Sequence, residues 1–249
     1  MTYRLPKTSG LTVLFSLSFM LSFAQSNYFK WSWGLGGGAN YSKTDVVEGN
    51  WGYTAKGEIS YHFTPFITGG LEAQYGMVQG GDIVTDPHNR QFINKYTSIT
   101  ANLKLHLGEF IPYERKPFLE AIKGIYAGIG IGAINNNITD IVRCKPSWAA
   151  FDPGYGPFPG EDKGVNLIVP INLGFNYYLN DGYGYVPYVI NFNAQSNFTF
   201  GEGLDGYNDP STKFKNYDPD TFNLYSVGGK YFFGNIKRIV SSSKHYSFS

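Results

Sequence analysis

The sequence predicts an all-β fold, a transmembrane antiparallel up-and-down β-barrel of about eight strands preceded by an N-terminal signal peptide. Three observations carry this expectation. Residues 95–107 alternate without error between Tyr96, Ser98, Thr100, Asn102, Lys104, His106 and Thr97, Ile99, Ala101, Leu103, Leu105, Leu107. A period of two places each set on one face of a strand, whereas a helix would scatter the leucines around its circumference. Charged residues make up only 16% of the chain and aromatic residues 18%, against roughly 25% charge in soluble domains. The polar face of the repeating pattern is largely Gly, Ser and Asn, which is poor material for solubilising a barrel from outside.

The pattern recurs along the chain. Trp31, Trp33, Leu35, Gly37, Ala39 and Tyr41 alternate with Ser32, Gly34, Gly36, Gly38 and Asn40 in a first strand. Tyr53, Ala55, Gly57, Ile59, Tyr61 and Phe63 form the apolar face of a second, with Lys56 and Glu58 on its polar face. Thr64-Pro65 marks a tight turn before a third strand over 67–77, and residues 95–107 make the fourth. A connection over 108–117 leads to a fifth strand, read as 118–133. The longest irregular segment, 135–164, contains Pro153, Gly154, Gly156, Pro157, Pro159 and Gly160, a density incompatible with regular structure. Strands follow over 165–177 and 186–195, joined through Asn180-Asp181-Gly182, with Pro170 a blemish tolerable at a bulge or edge. A loop rich in Gly, Asp and Pro, 201–220, precedes the last strand, 225–233.

Alternation alone does not separate a soluble lipocalin-type barrel, apolar inside, from a membrane barrel, apolar outside. The weakly charged polar face favours the second. So do aromatic residues near strand ends, Trp31, Trp33, Tyr61, Phe63, Tyr177 and Tyr231, placed as interfacial girdles are. Connection lengths also alternate, those at 64–65, 108–117 and 180–184 being shorter than the loops from Gly80, Asn135 and Gly201. The link over 43–50 is short for the side of the long loops.

Arg4 and Lys7, an apolar run over 11–23 and the close Ser22-Phe23-Ala24 have the order of a secretory signal peptide. The expected organisation is therefore a signal over 1–24, a barrel over 25–233 and a periplasmic tail over 234–249 carrying Lys237, Arg238 and Lys244. Cys144 is the only cysteine, so no internal disulfide framework exists. A formal net charge of +1 gives no electrostatic reason to expect a nucleic-acid partner.

A barrel of eight strands has an interior just wide enough for side chains. The phase of the strands directs Lys56, Glu58, Glu72, Lys104, Glu120 and Lys230 into that interior. Both signs are present, so paired charges are expected to plug the lumen, because an unpaired buried charge is costly. The alternative, scattered solvated charges, requires a water-filled lumen. Trp148, Phe151, Tyr155 and Phe158 in the longest loop are candidates for a surface that binds glycan or protein, or for packing on the barrel mouth.

Signals for chemistry are weak. His62, His88, His106 and His245 are dispersed, and no spacing supports a catalytic triad or zinc site. His88 beside Asp86 is the one His–carboxylate proximity. Loop acids such as Asp140, Asp152, Glu161, Asp162, Asp205, Asp209, Asp218 and Asp220 lack EF-hand spacing. No catalytic residue, metal site or cofactor is expected.

The signal ending Ser22-Phe23-Ala24-Gln25, the opening strand Gly34-Leu35-Gly36-Gly37-Gly38-Ala39-Asn40-Tyr41, the turn Tyr61-His62-Phe63-Thr64-Pro65 and the strand Val227-Gly228-Gly229-Lys230-Tyr231-Phe232-Phe233 carry a resemblance. The chain resembles the small outer-membrane β-barrel proteins of Bacteroidetes-type bacteria, an OmpX/OmpA-like grouping that includes PorT-like proteins of the type IX secretion system. The resemblance implies Sec export to a Gram-negative outer membrane, insertion by barrel assembly machinery, lipid contact and a monomeric state. The expected function is non-enzymatic: structural, adhesive, or accessory to an envelope complex through a glycan or protein partner. A narrow pore for small solutes and a lipid-modifying outer-membrane enzyme are the alternatives.

Overall fold

The structure, a computed structural model, describes residues 28–46, 48–86, 89–112, 116–143, 160–179, 186–201, 203–207 and 219–237. Eight strands form one closed barrel: β1 (Tyr28–Lys43), β2 (Gly49–His62), β3 (Ile67–Gly81), β4 (Gln91–His106), β5 (Ile125–Ile141), β6 (Lys163–Leu179), β7 (Tyr188–Phe200) and β8 (Asp220–Lys237). Each strand pairs antiparallel with its sequence neighbours, and β1 closes the cylinder on β8, from Tyr28 opposite Lys237 to Lys43 opposite Thr221.

The pleat sorts the sequence as the alternation requires. Leu35, Leu71, Ile99 and Val165 point outward and are 61–71% exposed, while Lys56, Glu58, Glu72, Lys104 and Lys230 are buried inside. Such a surface, apolar over the whole girth, would drive aggregation in water. In hydrocarbon it is matched to its solvent, and closure leaves no strand edge with unpaired amides. Aromatic contacts ring both margins of the band. Trp31 meets Tyr61 edge-on at 5.1 Å and Tyr61 meets Phe63 at 5.2 Å near one end, and Tyr41 meets Trp51 at 5.2 Å near the other. This is the girdled band of a transmembrane barrel. Among the described residues no helix is long and apolar enough to cross a membrane.

Several boundaries differ from the sequence expectation. β5 begins at Ile125, because Pro117 opens a short helix, α1 (Pro117–Ile122), with proline in its first turn, where a missing N–H costs nothing. The β4–β5 connection therefore covers 107–124 and is longer than the β3–β4 loop at 82–90, so the expected alternation of short and long connections is imperfect. At its other end β5 runs on to Ile141, claiming Asn135, Asn136 and Asn137 from the expected loop. These asparagines pair backbone to backbone with Thr97, Tyr96 and Lys95. β8 also continues beyond Phe233, pairing Ile236 with Phe29 and Lys237 with Tyr28, so residues 234–237 belong to the barrel. The expected signal, 1–24, and the remainder of the tail lie outside the described residues.

Pro170 stays in strand without a bulge. Pairing between β5 and β6 lapses between Ile129↔Ile171 and Gly132↔Ile168 and resumes in the same register, as expected where one residue has no N–H to give the ladder.

Candidate functional site

The lumen is the built part of this protein, and the register explains how. Glu58 on β2 lies directly opposite Glu72 on β3, an unfavourable pairing of like charges. Lys104 on β4 relieves it: its Nζ sits 2.7 Å from Glu58 Oε2 and 3.9 Å from Glu72 Oε2. Lys56, one inward-facing position from Glu58 on β2, stands 3.6 Å from Glu72 Oε2. Lys230 on β8 closes on the other oxygen of Glu58. That contact crosses the whole width of β1, whose intervening residue, Gly34, is opposite both Glu58 and Lys230. A Cβ at Gly34 would come within 3.1 Å of Lys230 Cγ and 3.3 Å of Glu58 Cγ, so glycine here keeps the path between the two charges open.

Five of the six residues expected to line the lumen thus come together. Glu120 does not. It stands on α1, outside the barrel, 60% exposed and 3.5 Å from Lys123, because its segment is a proline-initiated helical turn and not strand. Trp148, Phe151, Tyr155 and Phe158, together with His88 and Cys144, lie outside the described residues.

Amides and hydroxyls fill the rest. Gln74 donates to Glu72 (2.8 Å) and Gln195 (3.1 Å), and Tyr96 bonds both Thr54 and Gln74. Toward the end where α1 lies, Tyr126 donates to Asn193, Asn193 donates to Asn172, and Asn191 donates to Tyr126 and Asn176. Asn176 bonds His106 Nε2 at 2.8 Å, and Nδ1 of that ring reaches the Phe66 carbonyl at 2.8 Å. His106 must therefore carry its proton on Nδ1. His62 is held between Ser32 and Thr68. Hydroxyls, and no carboxylate, occupy its two nitrogens, so the orienting acid of a Ser-His-Asp arrangement is missing there. Among the described residues no group of three or more His, Cys, Asp or Glu is disposed to hold a metal ion.

At the opposite end an apolar cluster packs inside the barrel. Val78, Phe92, Tyr96, Ile134, Ile168 and Phe222 from five strands pack with Val46 and with Leu204 and Tyr207 of the β7–β8 loop. Residues 203–207 are all buried. The segment is tied down by hydrogen bonds from Asn94 Nδ2 to the Leu204 carbonyl (2.8 Å), from Arg143 to the Gly206 carbonyl (2.8 Å) and from the Tyr207 hydroxyl to the Val142 carbonyl (2.8 Å). Asp205 accepts from the Tyr207 N–H at 3.0 Å and the Asp45 N–H at 3.3 Å. Arg90 donates to the Asp45 carbonyl (2.7 Å) and lies 5.4 Å from the Tyr207 ring. Burial pushes the Asp205 carboxyl up to about 7, and the charge of nearby Asp45 adds to the effect. The alternation does not predict this inserted segment; the signal it leaves in the sequence is Leu204 and Tyr207 flanking Asp205-Gly206.

Fold and lumen together define a class: a small closed transmembrane β-barrel with a packed polar interior. No family model matches the chain, and no curated protein matches it in sequence. Among solved structures it is similar to Neisserial surface protein A, NspA (10% identity, 84% of this chain and 100% of that one covered, TM-score 0.46). It is also similar to Ail, the attachment invasion locus protein of Yersinia pestis (11% identity, 84% and 100% covered, TM-score 0.41). A third similar structure is OprG from Pseudomonas aeruginosa (12% identity, 83% and 98% covered, TM-score 0.40).

Proposed function

We propose that the chain is a non-enzymatic, monomeric barrel of the Gram-negative outer membrane, of the Bacteroidetes OmpX- or PorT-like type, whose lumen is plugged. On this reading it leaves the cytoplasm by the Sec pathway, loses residues 1–24, and is inserted by the barrel assembly machinery. Both strand ends at Tyr28 and Lys237 then face the periplasm, and the loops between β5 and β6 and between β7 and β8 face outward. Its role is structural, adhesive, or accessory to an envelope complex through those loops.

The observation that supports this reading is the double filling of the lumen. Ions and amides occupy the middle, and Leu204 and Tyr207 pack into one mouth. The voids beside the ion network hold about 10 Å³ each, room for about one water molecule apiece. Planar-bilayer recording of the purified full-length protein tests the plug. Silent membranes are expected at all voltages that the bilayer tolerates, and reproducible unitary conductance steps would replace this reading with the narrow pore. Retarded migration on boiling, after extraction from the outer-membrane fraction, is the expected mark of the closed barrel itself.

A further inference from the structure

The ion network does not balance. Three lysines, Lys56, Lys104 and Lys230, share two carboxylates, Glu58 and Glu72, and all five are buried. Glu58 has one oxygen on Lys104 and the other on Lys230, and Glu72 lies between Lys56 and Lys104. One positive charge is left over, and Lys56 shows where it resides. Its Nζ is buried and makes no hydrogen bond among the described residues; it keeps only a long ion pair, 3.6 Å, to Glu72 Oε2, an oxygen that also lacks a hydrogen bond. A desolvated ammonium held by one long ion pair and no hydrogen bond is expensive.

Beside it is a space. Lys56 and Lys230 line a void of about 10 Å³ whose floor is Gly34, Gly36, Gly228 and Gly229. Gly36 is opposite both Lys56 and Gly228, and Gly34 is opposite Lys230, so the two ammonium-bearing residues flank a patch of wall without side chains. The remaining polar lining is Glu58, already engaged by two lysines, and Asn191, whose amide hydrogens go to Tyr126 and Asn176. Only the lysines have donors left to offer. The excess charge, the idle donors and the void coincide.

We propose that this void is a binding site for one small monovalent inorganic anion, of the halide class, held between the ammonium groups of Lys56 and Lys230. The occupant brings the five-residue network to neutrality and gives Lys56 the acceptor it lacks. Sulfate and phosphate, with four oxygens each, exceed the space. The inference goes beyond the plugged-barrel reading and stands on the charge count, whichever way the conductance recordings fall.

Crystals of the full-length barrel grown in bromide in place of chloride test it by anomalous scattering. One bromide peak per barrel within hydrogen-bonding reach of Lys56 and Lys230 is expected, and its loss in Lys56→Gln. An ordered network without bromide, or a peak that persists in Lys56→Gln, overturns the proposal. Solution measurements supply an arm that needs no variant. The midpoint of the heat-induced gel shift should rise with chloride or bromide relative to gluconate at equal ionic strength, and identical midpoints in the three salts overturn the site. In Lys56→Gln, where charges already balance, the halide dependence should vanish; in Lys95→Gln, at an exposed position, it should remain.

Discussion

Replacing Glu58 with glutamine is the sharpest probe of the lumen. Glu58 is the carboxylate with a separate lysine on each oxygen, Lys104 at 2.7 Å on one and Lys230 on the other. Glutamine keeps the shape and removes the charge, leaving three buried ammonium groups around Glu72 alone. Breaking a buried ion pair by removing one partner costs about 3–5 kcal/mol, against about 0–1 kcal/mol for a solvated surface pair. The upper range applies here because the oxygens of Glu58 serve separate cations. Urea unfolding in lipid vesicles, followed by tryptophan fluorescence, measures the loss. Adding Lys230→Met to Glu58→Gln removes one of the stranded cations and should restore part of the stability, giving a coupling of about 1–3 kcal/mol in the double-mutant cycle. A cost below about 1 kcal/mol with additive effects would mean that water already solvates these groups, and the packed-lumen reasoning would be wrong.

Three further outcomes are expected. Leu71 is 61% exposed, between Ile59 and Ala101 on the outer face; Leu71→Arg should cost about 2–4 kcal/mol in the same assay if that face meets hydrocarbon near mid-depth, whereas a water-facing position would tolerate it. A Cβ at Gly38 would collide with the Tyr225 carbonyl oxygen, but one at Gly229 meets nothing within 4 Å, so Gly38→Ala should lower the gel-shift midpoint and Gly229→Ala should leave it unchanged. Asp205 titrates near 3.9 when undocked and at about 7 in the buried segment. The docked form therefore binds its proton more tightly, and docking is strongest in acid, weakens as pH rises from about 4 to 7 and is weakest above that. Proteolysis of the β7–β8 loop should accelerate over this range, and Asp205→Asn should flatten the profile.

The strands and their phase were legible because the two faces of each strand meet different solvents, and a two-residue period records that directly. Residues 95–107 expose nothing that contradicts the pattern, and β4 follows it along its whole length. The ends were harder. Asn135, Asn136 and Asn137 carry no hydrophobic signal on either face, since Asn136 turns into the lumen and bonds Asn94. Glu120 falls outside the lumen because Phe118-Leu119-Glu120-Ala121-Ile122, apolar enough to resemble strand, follows a proline that starts a helical turn. The lumen charges could be named from phase. Their pairing could not, because Lys230 reaches Glu58 only across a third strand with glycine between them. The Leu204 and Tyr207 insertion is faint in the sequence for a different reason: five residues of a loop have no period, and their burial depends on a mouth built by strands far away in sequence.

The β1–β8 seam has a consequence for how the chain can be made. Every other seam joins neighbours through one connection, but this one brings Tyr28 to Lys237, so it is the seam of greatest sequence separation and costs the most chain entropy to close. Until it does, an open sheet would carry two raw edges of unpaired amides into hydrocarbon, which the bilayer does not tolerate. Closure and insertion are therefore expected to be coupled. Once closed, the ring has no privileged beginning. Tyr28 and Lys237 lie side by side, so a permuted chain that links them and starts instead within the turn at Thr64-Pro65 should reach the same barrel, by a different final step.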